Sequence, residues 1–208
     1  LFILTQVGDI LDRQEIEWDL FITYLMSMRM DRVMSFNRPF SLKVVCSILN
    51  TMNYRYVMIL EPHSERTKGL LGTRCYPQKF NFESHLDIQS NIVFPDAGAY
   101  QRYKILSNNW GHIVFNKVRD LETGKIREFS IGREVNCYYP TFTFIDDLCD
   151  AGGTFLGELK VLKERYPDAK YEIMVCHAVN IKGLVNLCNN FDRVIITNSY
   201  CDYGYKPS

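Results

Sequence analysis

The sequence predicts an α/β protein made of two similar halves, each with a parallel sheet and crossover helices. Two observations predict this fold class. Apolar runs typical of strands alternate with amphipathic helical patterns in the first half, and the same alternation returns in the second half. In addition, polar and charged residues directly follow several predicted strands, at the strand ends where ligands collect in such folds. A chain of 208 residues is long enough for one or two such domains.

The first half, which we assign to residues 1–78, is predicted to begin with a helix over residues 1–13. A buried strand follows at residues 20–25, then a helix that starts at Pro39, and then a second strand at residues 56–60. Because the amphipathic pattern is already under way at the first residue, we expect a fragment of a longer product. The N-terminal domain is therefore expected to be incomplete.

The second half is assigned to residues 79–208, because residues 73–89 lack a regular apolar period and suggest a domain boundary. Its first strand and helix are predicted at residues 92–94 and 99–106. A charged segment at residues 117–127, between strands at 112–116 and 128–131, is typical of a mobile hairpin or flap. The remaining strands are predicted at residues 142–145, 171–176 and 193–197, with helices after residue 153 and at residues 181–189.

Composition excludes several classes of partner. The 24 basic and 24 acidic residues balance to a formal charge of zero, so the whole chain has no electrostatic attraction to nucleic acid or to an anionic membrane. No apolar run reaches the roughly 18 residues of a membrane span. The seven cysteines form no Cys-x-x-Cys pair, and Cys46, Cys176 and Cys188 lie in apolar runs, where we expect buried thiols. We therefore expect a cytoplasmic protein without membrane or nucleic-acid partners.

The chemistry centres on the stretch from Thr143 to Thr154. An apolar run is expected to stop at Asp146 and Asp147, and a Gly-rich turn then leads into a helix. Backbone N–H groups at such a helix start bind anions, whereas two adjacent carboxylates would repel a phosphate and suit a sugar diol or a magnesium ion. An ordinary strand-to-helix turn with an N-cap aspartate is the alternative interpretation.

This stretch resembles the phosphoribosyl-pyrophosphate (PRPP) loop of type I phosphoribosyltransferases and of ribose-phosphate diphosphokinases, the PRPP synthetases. The resemblance implies that both domains have a phosphoribosyltransferase-like fold. It also implies that Asp146 and Asp147 hold the ribose hydroxyls. The 5-phosphate would then be wrapped by the residues that follow, namely Asp150, Ala151, Gly152, Gly153 and Thr154.

Further stretches resemble PRPP synthetases in the same order along the chain. Arg29-Met30-Asp31-Arg32 is similar to their ATP-contacting Arg-Gln-Asp loop, and residues 40–43 are similar to the helix that follows it. Glu61-Pro62-His63-Ser64 resembles their Asp-x-His metal segment. Pro95-Asp96-Ala97-Gly98 resembles the segment that supplies a second metal position, and Lys117-Val118-Arg119-Asp120 resembles the mobile catalytic flap.

The resemblance implies a role for each of these residues. ATP would be bound by Arg29, Asp31, Arg32 and His63, and Mg²⁺ would be bound by His63 and Asp96. Lys117 and Arg119 would be catalytic. The implied reaction transfers the β,γ-diphosphoryl group of ATP to the 1-hydroxyl of ribose 5-phosphate, giving PRPP and AMP. The resemblance also implies a homo-oligomer.

Departures from the family pattern leave alternatives open. Met30 stands where the family usually has Gln, and Glu61 replaces an Asp. A larger ribose 5-phosphate ester, such as ADP-ribose, could therefore replace ribose 5-phosphate as the acceptor. A salvage phosphoribosyltransferase would share only the loop at Asp146 to Thr154. A non-catalytic regulatory homologue is a further alternative, although such homologues tend to lose the flap or metal residues that this chain keeps.

Overall fold

The computed structural model describes residues 1–119 and 126–203. The chain divides into two compact units, Leu1–Phe80 and Asn81–Ser208. Both units contain parallel strands connected through helices, so the α/β fold class predicted from the alternating sequence pattern is confirmed. In the described residues, no helix combines the length and the apolar character that crossing a membrane requires.

The first unit has a three-stranded parallel sheet in the order β1-β2-β3. Its elements in chain order are α1 (Phe2–Arg13), β1 (Leu20–Ile22), α2 (Ser41–Leu49), β2 (Val57–Leu60), α3 (Arg66–Leu71) and β3 (Cys75–Gln78). Strand β1 is shorter than predicted. The sequence did not predict β3, because its four residues include Pro77 and show no regular apolar alternation.

The apolar face of α2 packs into the core of this unit, as its helical spacing predicted. Its side chains at residues 42, 45, 46 and 49 are all buried, together with strand residues Val57 and Ile59. The helix follows Phe40 at its N-cap and so begins two residues after Pro39, not at Pro39 as predicted.

The second unit has a six-stranded sheet in the order β6-β5-β4-β7-β8-β9. Its elements are β4 (Ser90–Phe94), α4 (Ala97–Tyr103), β5 (His112–Arg119), β6 (Ile126–Val135), β7 (Thr141–Cys149), α5 (Gly153–Arg165), β8 (Lys170–Ala178), α6 (Ile181–Asn190) and β9 (Arg193–Ile196). Strand β6 pairs with β5 in the antiparallel sense, and the other described pairs are parallel.

The core of the second unit lies between the sheet and helices α5 and α6. Phe155, Leu159 and Leu162 of α5 are buried at the helical spacing that the sequence predicted, against Phe144 of β7 and Ile173 of β8. Strand β4 is buried at every position, which is typical of a central strand covered on both faces. The central strands β4 and β7 are neighbours, so their carboxyl ends lie side by side at one edge of the sheet.

Strand β7 is longer than predicted, and this changes the setting of the two carboxylates. The strand continues to Cys149 and pairs with β8 at Asp146–Val175 and Leu148–His177. Asp146 and Asp147 therefore lie within the last part of a paired strand and not beyond its end. The sheet holds their backbone in place.

Two of the three cysteines predicted to be buried are buried in the structure, and the third is exposed. All seven are free thiols. Cys46 and Cys176 are buried, as their apolar surroundings predicted, and burial raises the pKa of Cys46 to about 11. Cys188 is exposed, so the prediction that it is buried was wrong: it lies on α6 but outside the buried positions of that helix.

Candidate active site

The acid pair of β7 is held by an arginine that the sequence did not single out. Arg102 of α4 lies 3.3 Å from Asp146 Oδ1 through Nη1, and the same nitrogen donates a short hydrogen bond to Asp147 Oδ1. The side chain of Asp147 is 1% exposed, and that of Asp146 is 18% exposed. Two carboxylates this deeply placed need a nearby cation. The signal in the sequence was a basic residue on the helix after Asp96.

The environment changes the proton affinity of these groups. Burial is the main cause that raises the pKa of Asp146 well above its ordinary value, and the charge of Asp147 adds to it. Burial alone would lower the pKa of Arg102, but the two carboxylates outweigh it and raise that pKa. Carboxylate oxygens of such a pair can accept hydrogen bonds from sugar hydroxyls, and a carboxyl group that keeps its proton can also donate one.

The turn after β7 exposes backbone at the start of α5. Gly152 has a φ of 79°, a left-handed conformation that favours glycine, and α5 begins at the next residue. Within the described chain no side chain caps this helix start, and its first turn contains no acidic residue. A Cβ on Gly153 would meet none of the described atoms within 4 Å, so the space beside the helix start is open. This arrangement can receive an anion.

Helix α6 supports this turn from outside. Asn186 Nδ2 donates to the Ala151 carbonyl at 3.2 Å, and Asn180 Nδ2 donates to Asp150 Oδ1 at 3.3 Å. Gly183 lies so close to the turn that a Cβ there would be 1.7 Å from the Asp150 carbonyl oxygen. The carboxylate of Asp150 thus contacts α6, which offers a reason for an acid beside a predicted phosphate site. Thr154 is half-buried in the first turn of α5.

A second cluster of charged side chains lies near the neighbouring ends of β4 and β5. Asp96 caps α4, accepting from the Ala99 N–H at 2.9 Å through Oδ1, and its Oδ2 accepts from Lys117 Nζ at 2.9 Å. Burial would raise the pKa of Asp96, but the Lys117 ammonium and the Ala99 N–H outweigh it and lower that pKa. Lys117 lies on β5, and its side chain is 13% exposed. The side chain of Arg119 and residues 120–125 of the predicted flap lie outside the described residues.

A buried glutamate on α5 also faces this group. The Glu158 side chain is fully buried, and its Oε1 is 4.0 Å from Lys117 Nζ. Burial raises the pKa of Glu158 to about 9, although the Lys117 charge opposes this. Sequence reasoning missed Glu158; the only signal was an acidic residue next to Leu159, within the apolar face of a helix.

In the first unit, the loops after β1 and β2 meet. Arg32 Nε donates to Asp31 Oδ1 at 3.0 Å, and Arg66 of α3 donates to the Asp31 carbonyl at 2.8 Å. Burial would raise the pKa of Asp31, but hydrogen bonds with Arg32 and Ser64 outweigh it and lower that pKa. The parallel pairing of β1 with β2 brings these loops to one rim of the sheet.

The other predicted residues of this unit flank the same rim. Arg29 is exposed in the first loop, and His63 is half-buried in the second. Glu61 begins the second loop in a left-handed conformation with φ 40°. Its buried carboxylate accepts from the Phe80 N–H at 2.7 Å, which ties the loop to the segment after β3. His63 belongs to the first unit, whereas Asp96, Lys117 and Asp146 belong to the second.

The predicted magnesium ligands partly suit that ion. Asp96 offers the oxygen donors that Mg²⁺ prefers, whereas the imidazole of His63 fits better as a partner of a metal-bound water. Within residues 1–119 and 126–203, no group of three or more His, Cys, Asp or Glu side chains gathers as a metal site. Mg²⁺ bound by one or two protein ligands together with substrate phosphates agrees with such a donor set.

Two curated proteins that are similar to this chain in sequence are both ribose-phosphate pyrophosphokinases. The chain is 24% identical over 196 residues to the ribose-phosphate pyrophosphokinase of Mycoplasmopsis pulmonis (strain UAB CTIP), covering 89% of this chain and 60% of that protein. It is 25% identical over 192 residues to the ribose-phosphate pyrophosphokinase of Marinomonas sp. (strain MWYL1), covering 86% and 59%. The chain thus spans less than two thirds of the length of these curated relatives. No family model matches it.

The fold has a solved counterpart. The crystal structure of phosphoribosylpyrophosphate synthetase from Mycobacterium smegmatis superposes with a TM-score of 0.73 at 19% identity, covering 97% of this chain and 69% of that one. At this identity the likeness concerns the fold. The chain is therefore similar in sequence to two ribose-phosphate pyrophosphokinases and shares the fold of a PRPP synthetase.

Proposed function

We propose that the protein transfers the β,γ-diphosphoryl group of ATP to the 1-hydroxyl of ribose 5-phosphate, giving PRPP and AMP. The observation that carries this proposal is the arrangement around β7: a buried acid pair beside an uncapped helix start. The acid pair suits a sugar diol, and the helix start suits the phosphate on the same sugar. The names of the sequence relatives support the same substrate.

The reaction needs positive charge near the group that is transferred. The 1-hydroxyl oxygen forms a bond to the β-phosphorus of ATP, and the bond from that phosphorus to the oxygen bridging to the α-phosphate breaks. The bridging oxygen leaves with AMP, and the hydroxyl proton is released. Negative charge grows on the leaving AMP and on the transferred phosphoryl oxygens, so cationic side chains that contact them accelerate the step.

Lys117 is our candidate for this role in the second unit. Its ammonium is anchored to Asp96 beside the acid pair, and Asp96 is partly exposed, so a substrate phosphate can compete for the same cation. We assign Arg119, two residues further along the chain, to the same role, because it belongs to the same Lys-x-Arg segment that resembles the catalytic flap of PRPP synthetases. His63 and Asp96 are the candidates for two separate Mg²⁺ positions, where the ion would neutralise triphosphate charge. Arg29, Asp31 and Arg32 are the candidates for contacting ATP.

The first test is AMP release from ATP with a panel of acceptors, and it separates the candidate functions. We expect AMP with ribose 5-phosphate. AMP only with ADP-ribose or another ester would move the acceptor to the larger sugar. Consumption of PRPP with a purine or pyrimidine, and no AMP, would instead identify a salvage phosphoribosyltransferase. No turnover with any of these substrates would contradict the proposal and leave a regulatory homologue.

The second test replaces Lys117. Lys117→Met keeps the length of the side chain but removes the charge, so we expect kcat to fall by about a hundredfold or more, the usual cost of losing one preorganised charge contact. Ribose 5-phosphate binding measured by calorimetry should change little. Lys160→Ala, an exposed lysine of α5, is the control and should match the wild type. A wild-type kcat in Lys117→Met would refute the assigned role.

A further inference from the structure

Glu158 is the one carboxylic side chain in the described part of the protein with both oxygens buried and no hydrogen bond. An unpaired buried carboxyl destabilises a fold, because it loses its hydration without gaining partners. A leucine at this place on α5 would pack between Phe155 and Leu162 without that cost. Acids that persist in such positions often serve the site that they face.

The surroundings of Glu158 connect two parts of the candidate site. Lys117 Nζ is its nearest charged neighbour, at 4.0 Å from Oε1, while the same nitrogen binds Asp96 at 2.9 Å. Phe129 of β6 pairs directly with Lys117 across the sheet. Its ring lies against Gly157, where a Cβ would be 2.2 Å from a ring carbon. Both residues of this strand pair therefore contact α5 at adjacent positions.

We propose that Glu158 is a positioning residue that fixes Lys117, and with it the base of the β5–β6 hairpin, against the helix that carries the sugar-phosphate loop. The inference rests on the proposed role of Lys117. The Asp96 side chain is 44% exposed and so lies within reach of a substrate, whereas Glu158 is fully enclosed in the core. The Lys117 ammonium has three donors, so it can keep Glu158 as a fixed partner when a substrate phosphate takes the place of Asp96. Productive geometry requires such fixed support.

The decisive variants are Glu158→Leu and Glu158→Gln in the whole chain. Glu158→Leu removes the unpaired carboxyl and its contact with Lys117. We expect its thermal midpoint to rise, while kcat falls by about tenfold, because Lys117 loses the enclosed polar neighbour that fixes its position. The KM for ribose 5-phosphate should stay unchanged. Glu158→Gln keeps an oxygen that can accept from Lys117, so its kcat should remain within about twofold of the wild type. Glu164→Leu, at an exposed position of the same helix, is the matched control.

Each result decides the inference. A loss of kcat in Glu158→Leu that comes with a raised midpoint, and is rescued by glutamine, supports a positioning role. A merely structural residue would instead lose activity and stability together. That result, or an unchanged kcat in Glu158→Leu, would overturn the inference.

A measurement without turnover separates this inference from the proposed function. Thermal midpoints of Lys117→Met, Glu158→Leu and the double variant form a double-mutant cycle. If Glu158 holds Lys117, the effect of Lys117→Met should be smaller in the Glu158→Leu background. Strictly additive midpoints would overturn the inference. If the wild type releases no AMP, the proposed function fails, and the cycle still tests the contact.

Discussion

At the scale of single residues, the candidate site is a set of buried and partly buried acids, and each acid has a cation nearby. Arg102 forms ion pairs with Asp146 and Asp147, and Lys117 forms an ion pair with Asp96. Glu158 shares Lys117 at the longer distance of 4.0 Å, which is too far for a full hydrogen bond. The difference appears in the pKa values: the pKa of Asp96 is lowered, whereas burial raises that of Glu158 to about 9.

The raised pKa of Glu158 predicts a pH dependence of stability. An unfolded glutamate loses its proton near its ordinary pKa of 4.5, but in the folded protein Glu158 keeps the proton until about pH 9. Its contribution to stability is therefore complete below pH 4.5 and is lost as the pH rises through this window. Burial is the largest cause of the raised pKa; Lys117 on β5 lowers it, and Asp96 after β4 and Asp146 on β7 raise it further.

Glu158→Gln replaces the titrating carboxyl group with an amide that does not titrate. The free energy of unfolding of this variant, relative to that of the wild type, should therefore increase with pH. The limit is about 1.4 kcal/mol per pH unit for one proton. Urea unfolding at about pH 5, 7 and 8.5 measures the difference. Glu164→Gln serves as the exposed control, and its difference from the wild type should not vary in this way. A constant advantage of Glu158→Gln would show that Glu158 is ionised in the folded protein.

At the scale of elements, three of them build the candidate sugar-phosphate loop. Strand β7 fixes the acid pair in the sheet, α5 supplies the helix start, and α6 presses on the turn from outside. Gly183 allows α6 to come this close, because any side chain there would meet the Asp150 carbonyl. The position of the loop thus depends on a residue about thirty positions along the chain from it.

Gly183→Ala should displace α6 from the loop. We expect a loss of about 1–3 kcal/mol in stability, the usual cost of inserting a methyl group into a packed contact. Ribose 5-phosphate binding, measured by calorimetry, should weaken. Gly69→Ala in α3 is the control, since a Cβ there meets none of the described atoms within 4 Å. It should leave stability unchanged or slightly raised. If the two variants were equally stable, α6 could move away from the loop without a loss in free energy of unfolding, which would contradict the prediction.

At the scale of the whole molecule, each of the two units carries its own set of candidate residues. The loops after β1 and β2 in the first unit hold the candidate ATP residues, and the edge at β4, β5 and β7 in the second holds the candidate sugar residues. Each unit encloses its own core, and the cysteines report on both. Cys46 and Cys75 are buried in the first unit, and Cys149 and Cys176 are buried in the second.

Thiol labelling tests this distribution. A thiol reagent added to the native protein should label Cys188 and Cys201 rapidly, because both are exposed. The four buried cysteines should react only after denaturation, since their sulfur atoms lie inside the cores. Peptide mass mapping after brief labelling identifies the sites. Rapid labelling of Cys46 or Cys176 in the native protein would contradict the packing of the unit that contains it.

Much of the fold could be predicted because apolar periodicity is local. The buried faces of α2 and α5 and most of the strands and helices followed from spacing alone. The predictions failed where the extent of an element depends on the strand or helix that lies next to it in the fold. Strand β3 forms because β2 offers it hydrogen bonds, and β7 extends through Asp146 because β8 pairs with it. The exposure of Cys188 depends on which face of α6 meets the sheet.

The sequence by itself determined the α/β class, and it predicted a sugar-phosphate site in the stretch from Asp146 to Thr154 with Lys117 and Arg119 as candidate cations. Only the tertiary structure decided that Arg102 neutralises the acid pair, that Lys117 binds Asp96 and that Glu158 lies unpaired against Lys117. The physical reason is that these contacts join residues far apart in the sequence. A residue pattern fixes local backbone and burial, whereas the charge state of a buried acid depends on which cation the fold brings beside it from a distant part of the chain.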